Sequence, residues 1–356
     1  MKKVFVLLLV TIVILGFKES DLFKSRKINK VEIETIIKDS LLNVRALEII
    51  DSTDFCVFLT SKGNMGIVTT KEDAAPDKKM MYPIKIKSDS ITPNFRALAG
   101  RNKHGYGLSI GSPALLFKLD IGKDYIVYRE DHPKVFYDSM DFWNDDEGIA
   151  IGDPTDDCMS IIITRDGGAT WTKLSCDDLP KAKEGEAAFA ASDTNIAIVG
   201  NNTWVATGGK SSRVLYSPDK GKTWEVYNTP IVQGLETTGM YSIDFYDALH
   251  GFAIGGDYTK PDDNTANKIK TVDGGKTWEL VAQNESPGYR SCVQYIPNRA
   301  GKELVAIGYK GIDYSNDSGN SWKHLSDEGF YTIRFLNDSI AYAAGAGRVS
   351  KLTFRE

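Results

Sequence analysis

Thr164 to Trp171 reads TRDGGATW, and close copies follow as SPDKGKTW (Ser217 to Trp224), TVDGGKTW (Thr271 to Trp278) and SNDSGNSW (Ser315 to Trp322). The shared pattern is Ser/Thr-x-Asp-x-Gly-x-Ser/Thr-Trp. A weaker copy, KLDIGKDY at Lys118 to Tyr125, keeps the Asp, the Gly and a terminal aromatic. These residue types suit a tight hairpin. Asp can accept backbone N–H bonds across a turn, Gly reaches φ > 0 without strain, and Trp offers a large face to pack on a sheet. The tryptophans at 171, 224, 278 and 322 recur at roughly 45 to 54 residues. That period suits one four-stranded blade of a propeller with WD40/YVTN-like repeats.

Working outward, each octet is preceded by a short alternating or apolar run and then by a second run ending in glycine. The first runs are VRALEII (from Val44), FRALAG (Phe95), FYDSMDF (Phe136), EAAFAAS (Glu186), MYSIDFY (Met240), YRSCVQY (Tyr289) and YTIRFL (Tyr331). The second include FCVFLTSKG, GYGLSIGSP, GIAIGDP, GFAIGGD and IAYAAGAG. Their length, β-branched content and glycine punctuation indicate strands, and nothing after Ser40 reads as an amphipathic helix. The expected fold is all-β: one seven-bladed β-propeller over residues 28–356. The last unit ends early, at Glu356, so KVEIETIIKD (Lys30 to Asp39) is expected to complete the seventh blade and close the ring, which would remove an exposed edge.

The chain of 356 residues has a formal net charge of −5, with 26% charged and 42% hydrophobic residues. It lacks the basic excess of a nucleic-acid binder. Lys2 and Lys3 precede an unbroken apolar run from Val4 to Phe17. A positive start and an apolar stretch shorter than a spanning helix indicate a signal peptide over residues 1–20, or a short anchor, and an exported protein, periplasmic or secreted. No membrane span is expected beyond it. Cys158 and Cys176 flank the first octet and could form a disulfide or remain two buried thiols, while Cys56 and Cys292 lie in apolar runs. No cysteine and histidine spacing suggests a metal site, and no CxxC, Rossmann or haem motif calls for a cofactor.

The octet resembles the Asp-box of sialidases, sortilin-type receptors, xyloglucan hydrolases and the photosystem II stability/assembly-factor family. The resemblance implies a structural role for Asp166, Trp171, Asp219, Trp224, Asp273, Trp278, Asp317 and Trp322, with a calcium or sugar site as the alternative. The segments FYDSMDFWNDDEGIAIGDP, GEAAFAAS, GGDYTKPDDN and PGYRSCVQYIP look most like bacterial propellers of the assembly-factor type, which act by binding protein rather than by catalysis.

Function is expected where the first strands open into the central channel. Aligning them at one position gives Arg45, Arg96, Tyr137, Ala187, Tyr241, Arg290 and Tyr331, with Glu186 adjacent. The second-strand turns add Asp153 and Asp257, with Tyr258 and Tyr309 beside them. Arginine forks suit carboxylate or phosphate, and tyrosines add contact area. The expected site therefore holds Arg45, Arg96, Arg290, Tyr137, Tyr241 and Tyr331, with Glu186, Asp153 and Asp257 orienting the arginines. It would bind a partner protein or an anionic or glycan ligand. The alternative is a sialidase-like glycoside hydrolase, with Tyr241 or Tyr331 and Glu186 as the nucleophile pair and Asp153 as the acid. The sialidase Arg-Ile-Pro motif is absent.

Overall fold

The computed structural model describes residues 26–50, 54–71, 80–86, 91–101, 104–120 and 123–356; the expected leader at 1–20 lies outside them. Among the described residues every regular element is a β-strand, and no helix is long and apolar enough to cross a membrane. Strands pair antiparallel with their sequence neighbours. The strands Tyr137–Phe142, Gly148–Gly152, Ser160–Thr164 and Thr172–Lys173 form one such four-stranded sheet.

The strand expected at Lys30 to Asp39 continues to Ile50. Its first part pairs with Ala346–Arg355, Lys30 opposite Arg355 and Asn43 opposite Ala346, and its last part pairs with Phe55–Thr60. This places the first and last strands of the described chain in one sheet. The strand Lys30–Ile50 also lies beside Phe95–Arg101, which lies beside Tyr137–Phe142. The succession continues through Ile196–Val199, Thr238–Phe245, Cys292–Tyr295 and Thr332–Phe335, and the last again touches Lys30–Ile50.

The core is divided into clusters, each filling the gap between two consecutive sheets. One joins Tyr106, Leu108 and Leu116 to Met140, Phe142, Ile162 and Trp171, and the next joins Ile149, Ile151 and Ile161 to Ile196, Val205 and Leu215. Strands with both faces covered explain the near-continuous apolar runs in the sequence. Cys158 and Cys176 are bonded to each other, and Cys56 and Cys292 are free and buried.

Each octet forms the turn between the last two strands of its sheet in chain order, and its polar side chains are consumed there. In the first, the Thr170 amide donates to Asp166 Oδ1 at 2.9 Å and the Thr170 hydroxyl to Oδ2 at 2.6 Å, while the Gly168 amide donates to Thr164 Oγ1 at 2.9 Å. The same bonds recur around Asp219, Asp273 and Asp317. They draw the four carboxyls below the usual range, against a desolvation that pushes the other way. The octet glycine lies on the preceding sheet: a Cβ on Gly168 would sit 2.4 Å from the Tyr106 ring, and one on Gly319 would sit 2.1 Å from Phe252. Trp204 completes a similar clasp by donating Nε1–H to the Gly274 carbonyl at 2.8 Å, one residue before the octet's Gly275. The octet therefore ties its own turn and fastens its sheet to the neighbour.

Candidate functional site

Four of the innermost strands share a β-bulge, an extra residue that interrupts the ladder and re-aims its own side chain. The ladder steps from Val44 to Ala46, from Phe95 to Ala97, from Tyr137 to Ser139 and from Met240 to Ser242 against single steps on the partner strands. The extra residues are Arg45, Arg96, Asp138 and Tyr241. Ser291 and Tyr331 occupy related places, donating their amides to the carbonyls of Ile307 and Ala344, the ladder partners of Cys292 and Thr332. All six line one depression of about 660 Å³. Asp153, Glu236 and an aromatic wall complete its lining, the wall including Phe189, Tyr258, Tyr289 and Tyr309.

Among the residues expected at this mouth, the depression gathers Arg45, Arg96, Tyr241, Tyr331 and Asp153, and four others fall elsewhere. Tyr137 is fully buried one residue before the bulge, and its hydroxyl donates to Glu130 Oε2 at 2.8 Å. Arg290 also points into the protein, where Nε donates to the buried Asp313 carboxylate at 2.7 Å and Nη1 to the Tyr289 carbonyl at 2.8 Å. Glu186 turns to Arg213, 2.5 Å away, and accepts from the Thr207 hydroxyl at 2.7 Å and the Lys183 amide at 2.8 Å. Asp257 caps its own turn, accepting from the Thr259 amide at 2.9 Å and hydroxyl at 2.7 Å. Neither Glu186 nor Asp257 orients an arginine of the depression. Tyr241 Oη donates to the Thr237 carbonyl at 2.8 Å, so Tyr241 and Glu186 are engaged with different partners and form no nucleophile pair.

The lining residues missed by the alignment include Asp138, Ser291, Phe136, Tyr289, Phe189 and Glu236. The bulge follows Val44, Phe95 and Tyr137 alike, but the run aligned with Val44 and Phe95 starts at Phe136, so it lands on Tyr137 where the channel-facing residue is Asp138. The GYR stretch likewise drew attention to Arg290, one residue short of Ser291.

The depression carries both signs of charge. Arg45 lies over the Tyr331 ring, with Cζ 4.1 Å from its centroid, and donates to Asn43 Oδ1. Burial pulls the Arg96 pKa down to about 10, with Arg45 adding to the pull and Tyr331 and Asp138 opposing it. Among the described residues no carboxylate forms a salt bridge with either arginine. Asp138 is fully buried and neither carboxylate oxygen has a hydrogen-bond partner. Burial pushes its carboxyl well above the ordinary range and Asp153 adds to the push; the Ala190 amide and Arg96, near but outside hydrogen-bonding geometry, counter it. Asp153 is pushed up to about 6 by burial, although its Oδ1 accepts from the Ala188 amide at 2.8 Å. Tyr241 stacks on Phe189, 3.9 Å between centroids and 3° from parallel, and meets Tyr289 edge-on at 4.8 Å.

Ser192, Asp193 and Thr194 fill the middle of the ring beneath this mouth. Asp193 accepts from the amides of Leu98 at 2.7 Å and Met140 at 3.1 Å; its own carbonyl accepts from Arg334 Nη2 at 3.0 Å. The Ser192 hydroxyl donates to the Ser291 carbonyl at 2.6 Å, and Thr194 donates to Ser242 at 2.7 Å. A second cavity of about 740 Å³ lies at the other ends of the same strands, lined by Glu48, Asp141, Asp244, Gln294 and Arg334. The two cavities thus lie at opposite ends of the innermost strands, with a hydrogen-bonded hub between them. Among the described residues, the one group with metal-ligand proximity is Asp157 with Cys158 and Cys176, and its sulfurs are joined in the disulfide.

No protein-family model matches the chain, and no curated protein matches it by sequence. Solved structures do match. A structure described as YCF48 bound to D1 peptide superposes with a TM-score of 0.64 at 14% identity, covering 94% of this chain and 98% of that one. YCF48 from Cyanidioschyzon merolae gives 0.62 at 12% identity, covering 92% and 98%. The WD40 repeats of RRP9 give 0.62 at 9% identity, covering 94% and 100%. These likenesses establish the fold: the chain is a β-propeller.

Proposed function

We propose that the protein is a non-catalytic, seven-bladed propeller that binds a segment of a partner protein in the depression around Arg45, Arg96, Tyr241 and Tyr331. The succession of seven innermost strands and the pairing of Lys30–Ile50 with Ala346–Arg355 support the blade count and the closure. One observation carries the binding reading: two largely buried arginines face the depression without a carboxylate salt bridge among the described residues. An arginine kept there costs desolvation, and an acidic group of a ligand would offset that cost with charge-assisted, fork-like hydrogen bonds. The aromatic wall supplies rigid contact area at low entropic cost. The structural neighbour that holds a D1 peptide offers a fold-level parallel for peptide binding.

The apolar run Val4 to Phe17 supports export to the periplasm or beyond, with the propeller over 28–356 as a single domain. The octets, Asp-boxes on this reading, act as structural fasteners between blades. Catalysis is disfavoured because the expected nucleophile pair is split: Glu186 serves Arg213, and Tyr241 donates to a backbone carbonyl.

The test is a binding titration with capped acidic, neutral and basic peptides. The acidic peptide should bind, and an Arg45→Ala, Arg96→Ala double variant should lose it while melting within a few degrees of the parent. Peptide binding indifferent to that double variant would overturn the site. Turnover of aryl glycosides, abolished by Glu186→Gln, would overturn the non-catalytic reading.

A further inference from the structure

We infer that the depression is a two-sign site: its acidic half, Asp138 with Asp153, takes a basic side chain of the same segment whose acidic group meets Arg45 and Arg96. The preferred partner therefore presents a carboxylate and an ammonium or guanidinium close together. This rests on the reading of the depression as the binding site and adds its charge pattern.

The geometry follows the order of the strands. Arg45, Arg96 and Asp138 are the bulge residues of three neighbouring innermost strands, so the lining changes from basic to acidic groups along one side of the mouth. Asp138 is the anomaly. A buried carboxylate with no hydrogen bond to either oxygen is costly, and native proteins rarely leave one so. Arg96 feels it electrostatically but does not bond it, and the Arg96 Nε–H is itself buried without a partner. The guanidinium and the carboxyl thus stand close without completing each other.

Asp153 lies beside Asp138 and is partly exposed at the lining, with Oδ1 on the Ala188 amide and Oδ2 left for a ligand. A cation seated on Asp153 would also favour ionisation of the Asp138 carboxyl behind it. The stacked Tyr241 and Phe189 line the same depression, where a ring face can stabilise a cation further. A purely acidic ligand would satisfy the arginines and leave the carboxylate pair unanswered. A mixed one satisfies both.

The experiment uses three fluorescein-labelled, capped glycine–serine decapeptides in anisotropy titrations with the full chain: one with two aspartates, one with two lysines, and one with two adjacent aspartate–lysine pairs. The paired peptide should bind at least tenfold tighter than the aspartate peptide. Asp138→Asn and Asp153→Asn should each erase that advantage and leave affinity for the aspartate peptide equal or higher. Equal affinities for the parent, or a preference that survives both substitutions, would overturn the inference while the arginine site stands. If Asp138→Asn does not fold, Asp153→Asn decides alone. If the aspartate peptide fails to bind or ignores Arg45→Ala, the underlying site reading is what fails. If no peptide binds, both fall.

Discussion

The Arg45 guanidinium lies over the Tyr331 ring, with Cζ 4.1 Å from the centroid; Arg45 belongs to the strand Lys30–Ile50, and Tyr331 immediately precedes the strand Thr332–Phe335 that lies beside it. The ring packs against the guanidinium, and both residues line the depression. Removing the guanidinium should therefore affect binding far more than folding. Arg45→Ala is expected to weaken an acidic peptide at least tenfold and to flatten the salt dependence of what remains, since fewer charges are then paired. Stability in urea should change by less than about 1 kcal/mol, the range of a substitution that breaks no buried pair. A variant that unfolds would assign Arg45 to the framework instead.

Arg290 should behave in the opposite way. It is almost fully buried against Asp313, which His324 Nδ1 also approaches at 3.0 Å. Arg290→Ala would strand a buried carboxylate, a loss of about 3–5 kcal/mol in comparable pairs. Urea denaturation of Arg290→Ala should show that drop, and the variant, where folded, should retain peptide affinity. Lost affinity at unchanged stability would return Arg290 to the site.

This contrast marks how far the sequence could be read. The strand pattern, the octet spacing and the role of Lys30 to Asp39 as a strand were all visible, because periodicity and turn chemistry act locally. Arg45, Arg96, Tyr241 and Tyr331 were found because their register follows directly from that pattern. Tyr137 and Arg290 were misplaced by a single residue, and in a strand a single residue reverses the face. A bulge is a property of two paired strands, so neither sequence alone displays it. Asp138 was passed over by the same one-residue offset, although it is the least satisfied carboxyl in the depression. The hub at Ser192 to Thr194 depends on contacts with five other strands and had no local signal at all.

The octets should act on stability and leave binding untouched. Asp273 takes the Thr277 amide at 2.9 Å and hydroxyl at 2.6 Å, in a turn far along the sheet from the depression. Asp273→Ala is expected to cost about 1–2 kcal/mol, the scale of a lost side-chain cap on backbone amides. Gly319→Ala should cost more: φ is +81° and the new Cβ would meet the Phe252 ring at 2.1 Å. Thermal melts of both variants, beside unchanged peptide titrations, check the assignment. Lost peptide binding in either would mean that the octets contribute to recognition.

The pH dependence of stability should reveal Asp153 through its sign. Its carboxyl is raised to about 6 by burial, against about 3.9 in an unfolded chain. Between those values the folded state holds a proton that the unfolded state has released. Stability therefore falls as pH rises from about 4 to about 6, and the loss persists above. Carboxyls held low act in reverse: Glu147, at about 2 through its hydrogen bonds from Lys220 and Asn144, stabilises above about 4 and loses that contribution as pH falls. Asp153→Asn keeps an oxygen for the Ala188 amide and removes the titration. It should stabilise the protein by roughly 2 kcal/mol at pH 8 and by almost nothing at pH 4. Urea melts of parent and variant at pH 4, 5, 6 and 8 measure this, and parallel curves would show that Asp153 is as well solvated folded as unfolded. Asp153 would then lack the buried setting on which the acidic half of the depression depends.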